Sequence, residues 1–306
     1  MLMSDLKLFA GSSNSWKIHL LAGTNLYHQG CGSKITEQNL TDASLFEIPG
    51  VPLTNGQTAS TEEVVTFRFE GGTLIWLDII ASVTLGTAPS LLPYHHYNIA
   101  DASKTKLHEI MGCKNWAMRL LARLSALQAS KDTKPSEDVD PIKFDDEADA
   151  IKKEIAARIA QENLEDSDSE PLHRPTNSEH DITLITYLFA LSTQIYLHLI
   201  TQNFTQLHTL QSAISAVTIM LQTQKIGTHL LPACVMPLFM VACVAGPGCE
   251  QELFRKCFNG GWVAETGMRH RERLGGVLED IWALRDARGD LVWGDVLEVV
   301  GDLLLI

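Results

Sequence analysis

Residues 181–200 read DITLITYLFALSTQIYLHLI. Leu184, Tyr187, Leu188, Leu191, Ile195, Tyr196 and Leu199 recur at helical spacing, and the apolar positions cover more than one side of that helix. A helix apolar on more than one side lies at the centre of a fold, with other helices around it. This stretch therefore predicts an all-α protein, a multi-helix array or bundle built around residues 181–200.

The rest of the chain supplies the surrounding helices. Cys113, Ala117, Leu120, Leu124 and Leu127 form one apolar stripe by alternating steps of four and three. Leu207, Leu210, Ile214, Val217 and Leu221 form another, and Leu274, Leu278, Ile281 and Trp282 a third. Gly289 separates that stripe from Trp293, Val296, Leu297, Val300 and Leu304, which read as the last helix. Leu230–Gly246 is apolar over 17 residues but carries Pro232 and Pro237. A membrane span needs about 20 apolar residues, so this run reads as a core helix entered through prolines, and no membrane contact is expected. Only Val64–Phe69 alternates as a strand would, with Gly71-Gly72 ending it. Pro49–Ser60 has the composition of a loop.

The organisation reads as a single helical domain over 1–306. Two polar, acidic stretches, near 130–146 and 161–179, read as flexible segments. They flank one amphipathic helix marked by Ile151, Ile155 and Ile159.

Composition narrows the function. Lysine and arginine total 24 against 37 aspartates and glutamates, a formal net charge of −13, and the pI is about 5.2. Phosphate binding needs a concentrated basic patch. The densest one here, Arg269, His270, Arg271 and Arg273, is interrupted by Glu272 and reads as a solvated helix face. Direct DNA binding by this chain alone is not expected. The six cysteines include no Cys-x-x-Cys pair, so zinc-finger spacing is missing and no metal site is expected. With no signal peptide at Met1–Ala10, they read as reduced intracellular thiols.

Motifs for chemistry are sparse. There is no Gly-x-Ser-x-Gly elbow, phosphate loop, dinucleotide loop or His-Glu-x-x-His site, so no cofactor is expected. Tyr94-His95-His96-Tyr97 is the most suggestive polar cluster, because imidazoles and phenols can move protons or hold a metal. It follows Pro89 and Pro93, which predicts a loop, and adjacent histidines on regular backbone point apart. Asp78 lies in the apolar run Leu74–Ile80. A carboxylate there needs a partner, and a helix terminus or an arginine is the expected one. His198, on the apolar 181–200 segment, reads as a satisfied core histidine. No catalytic residue is assigned; were the protein an enzyme, Tyr94, His95, His96 and Asp78 would be the candidates.

Several stretches together resemble a known family. Trp16-Lys17-Ile18-His19-Leu20-Leu21-Ala22-Gly23-Thr24 resembles the Trp-x-x-His-Leu helix of fungal-specific transcription factor domains. Leu74–Pro89, LIWLDIIASVTLGTAP, is similar to their aspartate-bearing helix and proline loop, and Met111–Trp116 to their Gly-Cys-x-x-Trp helix start. Tyr187–Leu199 resembles the tyrosine-rich helix ending Tyr-Leu-His. Leu231–Ala245 with Glu252–Arg255 resembles the Pro-Leu-Phe helix and its follower. Trp282–Asp286, Asp290, Trp293 and Gly301–Ile306 resemble the closing motif. These matches fall in family order along nearly the whole chain.

The resemblance implies a helical, nuclear, regulatory domain of the middle homology type, of the kind that follows a zinc binuclear cluster. It implies contacts with the transcription machinery or other regulators, a small-molecule effector in some members, and a homodimer as one assembly. The six-cysteine cluster is missing here, so the chain reads either as a piece of a zinc-cluster factor or as a shortened relative, for which a cytoplasmic location is also consistent. The first reading is a transcription regulator controlling a metabolic or secondary-metabolite gene cluster. The alternative is a transcription-factor-like protein repurposed as a small-molecule-binding protein or an enzyme of secondary metabolism.

Overall fold

The computed structural model describes residues 15–32, 61–133, 141–167, 177–223, 226, 229–259 and 269–306. Among them are twelve α-helices and no strand. They are α1 (Ser15–Gly32), α2 (Thr61–Leu85), α3 (Leu92–Asn98), α4 (His108–Met111), α5 (Asn115–Thr133), α6 (Pro141–Ser167), α7 (Asn177–Gln202), α8 (Gln211–Gln222), α9 (Val235–Val244), α10 (Cys249–Asn259), α11 (Arg269–Ala287) and α12 (Trp293–Val300).

The sequence dictates which helix is central. Along α7, Leu184, Leu188, Leu191, Ile195 and Leu199 are buried, and so are Phe189, Tyr196 and Ile200 on its other sides. The helix packs against α5, α6, α8 and α9. Ser178–Gln202 is the one stretch among the described residues long and apolar enough to cross a membrane, and 72% of its apolar window is buried inside the protein. That burial makes it the core helix its periodicity predicts.

α9 is the second buried rod. All ten of its residues are inside, and a 3-10 turn carrying Pro232, Leu231–Cys234, leads into it. Proline in a first turn lacks only an N–H that would have no intrahelical partner anyway. α11 lies across α9, with Leu274, Leu278, Ile281 and Trp282 buried, as the stripe requires. α12 ends at Val300, so Leu304 falls beyond the helix, in a buried C-terminal segment Leu303–Ile306. That segment is held from the other end of the chain: Trp16 Nε1 donates to the Asp302 carbonyl at 2.9 Å, and Lys17 pairs with the Asp302 carboxylate.

Two local expectations fail. Val64–Phe69 is not a strand but part of α2, which runs on through Gly71 and Gly72. Those glycines are contact points: a Cβ on Gly71 would meet Tyr27 of α1 at 3.2 Å, and one on Gly72 would lie 2.4 Å from Ile110 Cδ1. The acidic stretches also hold more helix than their polarity suggests. α5 continues to Thr133, and α6 takes in 141–146 and 161–167. α6 is fixed by its buried Ala148, Ile151 and Ile155 and by ion pairs, Arg123 to Glu147 and Glu154, and Lys114 to Glu162. The remainders, 134–140 and 168–176, lie outside the described residues, as does the Pro49–Ser60 loop.

Candidate functional site

The polar residues singled out in the sequence meet where α1, α2 and α3 come together. α1 and α2 pack antiparallel, Gly23 against Leu74 and Tyr27 against Gly71. Asp78, on the inner face of α2, is 4% exposed. Its carboxylate accepts the Ser90 N–H at 3.1 Å and the Leu91 N–H at 2.8 Å, donors just ahead of α3. Asp78 thus anchors a helix start, one of the two partners expected for it. Burial pushes its carboxyl above the usual range, and the two amide donors and nearby His28 pull it part of the way back.

Tyr94-His95-His96-Tyr97 is not a loop. It lies within α3, with Pro93 in the first turn, where proline starts helices rather than breaking them. The helical backbone then separates the two histidines, as adjacency requires: His95 is buried and His96 exposed. Tyr94 Oη and His28 Nδ1 are hydrogen-bonded at 2.9 Å, and the Tyr94 ring meets Tyr27 edge-on at 5.7 Å. His96 turns away and packs on Tyr97, ring centres 5.2 Å apart.

His95 is unusual. It is 4% exposed, and neither ring nitrogen has a hydrogen-bond partner. Burial lowers its pKa from 6.5 to about 4, so the ring is neutral at physiological pH. One turn on, the buried Asn98 Nδ2 is also without a partner. Periodicity could show that position 95 lies on the inner face of a helix only once that segment was read as helical.

This arrangement does not make an acid–base pair. Asp78 is engaged by backbone amides, Tyr94 by His28, and His95 is closed to solvent. No group of three metal-ligating side chains lies together among the described residues. The buried thiols are not activated nucleophiles: burial pushes Cys234 and Cys257 up to about 12, and Cys113 and Cys243 further still. His198 is not in the core; it is half-exposed, and its Nε2 lies 2.7 Å from the Thr205 carbonyl, tying the turn after α7. The side chains of 269–272 lie outside the described residues, and Arg273 is exposed.

The closing motif is the best-connected polar feature. The Trp282 ring is 3% exposed, and its Nε1 donates to the Ala242 carbonyl at 2.8 Å. Arg285 donates to the Cys243 carbonyl at 3.0 Å and the Ala245 carbonyl at 2.7 Å. α11 therefore caps the C-terminal end of α9, whose last carbonyls have no intrahelical partners. Arg255, paired with Glu279 at 2.6 Å, lies 5.1 Å over the Trp282 ring. Asp78 takes no part.

Comparison with known proteins finds relatives among fungal transcription regulators. The chain is 37% identical over 305 residues to pestheic acid cluster transcriptional regulator 3 of Pestalotiopsis fici, covering 96% of this chain and 53% of that protein. It is 23% identical over 296 residues to the trichothecene biosynthesis transcription regulator TRI10 of Fusarium sporotrichioides, covering 94% of this chain and 67% of that protein. It is also 23% identical over 325 residues to transcription factor dibT of Pestalotiopsis microspora, covering 95% of this chain and 50% of that protein. The chain spans about half to two thirds of the length of these relatives. No solved structure matches it. Residues 1–306 match the fungal specific transcription factor domain, and the chain belongs to that family.

Proposed function

We propose that this chain is the regulatory part of a transcription regulator that controls a fungal secondary-metabolite gene cluster. The observation that carries this reading is the 37% identity, over 96% of the chain, with a regulator named for the pestheic acid cluster. Similarity to regulators named for trichothecene biosynthesis supports it. The chain works in the nucleus as one helical unit, a reading supported by a single apolar cluster that includes both Trp16 and Ile306. It acts through contacts with the transcription machinery or other regulators and answers to a small-molecule effector, as a homodimer or with another factor. DNA contact is left to other parts of the assembly, since this chain is acidic.

Deleting the gene in its own host and measuring transcripts of the neighbouring biosynthetic genes tests the reading. Those transcripts should fall to background and return on re-expression. Unchanged transcripts under conditions where the cluster is normally induced would refute it.

A further inference from the structure

α3 is a short helix held in an unusual way. It has seven residues, whereas isolated helices below about 12–15 residues are marginal in water, so its docking must come from tertiary contacts. At its start, the Asp78 carboxylate grips the Ser90 and Leu91 amides. Its inner face is Leu91, Tyr94, His95, Asn98 and Ile99, at helical spacing. Apolar side chains would be expected at all five positions. Two of them instead bring in three nitrogens that nothing meets: His95 Nδ1 and Nε2, and Asn98 Nδ2. A polar group buried without a partner loses its water and gains nothing in return. In water those groups would be satisfied.

We infer that α3 is a releasable latch, which lifts from α1 and α2 while the core helix α7 stays packed, and that protonation of His95 drives the release. Lifting α3 hydrates His95 and Asn98 and uncovers the buried apolar residues Leu91 and Ile99. The direction of the proton effect follows from the geometry. A charged imidazole can be accepted only when the ring reaches water, because the buried ring has no partner. No charged group offsets this: burial is the sole cause acting on His95, although Asp78 of α2 and His28 of α1 lie at the same junction and Tyr94 adjoins it. The buried ring takes a proton at about 4 and a free one near 6.5. Docking is therefore fully stable above pH 6.5 and weakens as the pH falls from 6.5 toward 4. For an undocked ring titrating normally, the open population rises about fourfold between pH 7.5 and 6.0. That range stays above the pI of about 5.2.

Native-state hydrogen exchange on the whole chain, corrected for intrinsic rates, tests this. The amides of 94–99 should exchange through a local opening far more populated than that of α7, and it should grow about fourfold from pH 7.5 to 6.0. His95→Leu should slow exchange in α3, remove the pH dependence and leave α7 unchanged. Protection of α3 equal to that of α7, or a pH dependence that survives in His95→Leu, would overturn the inference. Nitrogen-15 spectra of the imidazole rings in the unmutated protein give an answer without a variant. A neutral His95 ring down to pH 6.0 supports the latch, and one titrating near 6.5 in the docked state sinks it.

Discussion

At the scale of single residues, Trp282 and Arg285 show how a motif can be strongly specified without doing chemistry. Trp282 fills the space between α9 and α11 and spends its one donor on the Ala242 carbonyl. Truncating a large buried aromatic removes its apolar contacts and leaves a cavity, so Trp282→Ala should cost about 3–5 kcal/mol in urea unfolding. That is a large share of a typical domain's stability. Retention of full stability by Trp282→Ala, with regulation lost, would move this tryptophan from the core to a functional site. Arg285→Ala strands two carbonyls at the end of α9, at a cost of about 1–3 kcal/mol. Arg285→Lys should recover only part of it, since an ammonium lacks the two-pronged fork that reaches both oxygens. Equal stability for arginine and lysine would show that charge, not geometry, is what this position requires. The sequence placed Arg285 in the closing motif. It could not say that the carbonyls belong to another helix, 40 residues back, because that depends on how α9 and α11 cross.

Among the elements, the long helices were legible and the short ones were not. α7 and α9 announce themselves because a buried helix must be apolar on every side, and few other structures ask that of a sequence. α3 is only seven residues long, and Pro89 and Pro93 give its start the composition of a loop; the Asp78 carboxylate, 12 residues upstream of Ser90, holds that start by accepting the Ser90 and Leu91 amides. Gly71 and Gly72 misled in a similar way. Glycine ends strands and helices in isolation, but here it lets α2 approach Tyr27 and Ile110. The junction before α5 supplies a test at this scale. Gly112 ends α4 with φ +84°, in the left-handed region, and a Cβ there would lie 2.5 Å from Ile185 Cδ1 of α7. Gly112→Ala therefore meets two penalties, about 1–2 kcal/mol for the left-handed backbone and about 1–3 kcal/mol for overpacking. Trimming Ile185 to Ala in the same chain should relieve the second penalty and leave the first. A double-mutant cycle with no coupling between the two positions would show that they do not touch.

For the molecule as a whole, one charge balance decides more than any motif. Thirteen more acidic than basic side chains give the chain a net charge that repels a polyanion such as DNA at long range. Binding to DNA rests on neutralising phosphates with lysine and arginine, and it weakens steeply as salt rises. At least five of the 24 basic side chains are engaged within the chain: Arg123 with Glu147 and Glu154, Lys114 with Glu162, Arg158 with Asp101, Arg255 with Glu279, and Arg285 with the end of α9. Freeing any of them for phosphate would cost contacts that hold helices together. The sequence showed the deficit of basic charge; only the fold shows which of the basic groups are engaged with acids or helix ends. The chain alone should therefore fail to retard promoter fragments of the proposed target gene cluster at about 0.15 M salt, where charges more than about 8 Å apart are screened. Lowering the salt should not rescue binding, because the long-range term is repulsive and low salt strengthens it. Sequence-specific retardation that survives physiological salt would contradict this, and binding that appears only at low salt would reveal a local basic patch strong enough to outweigh the net charge.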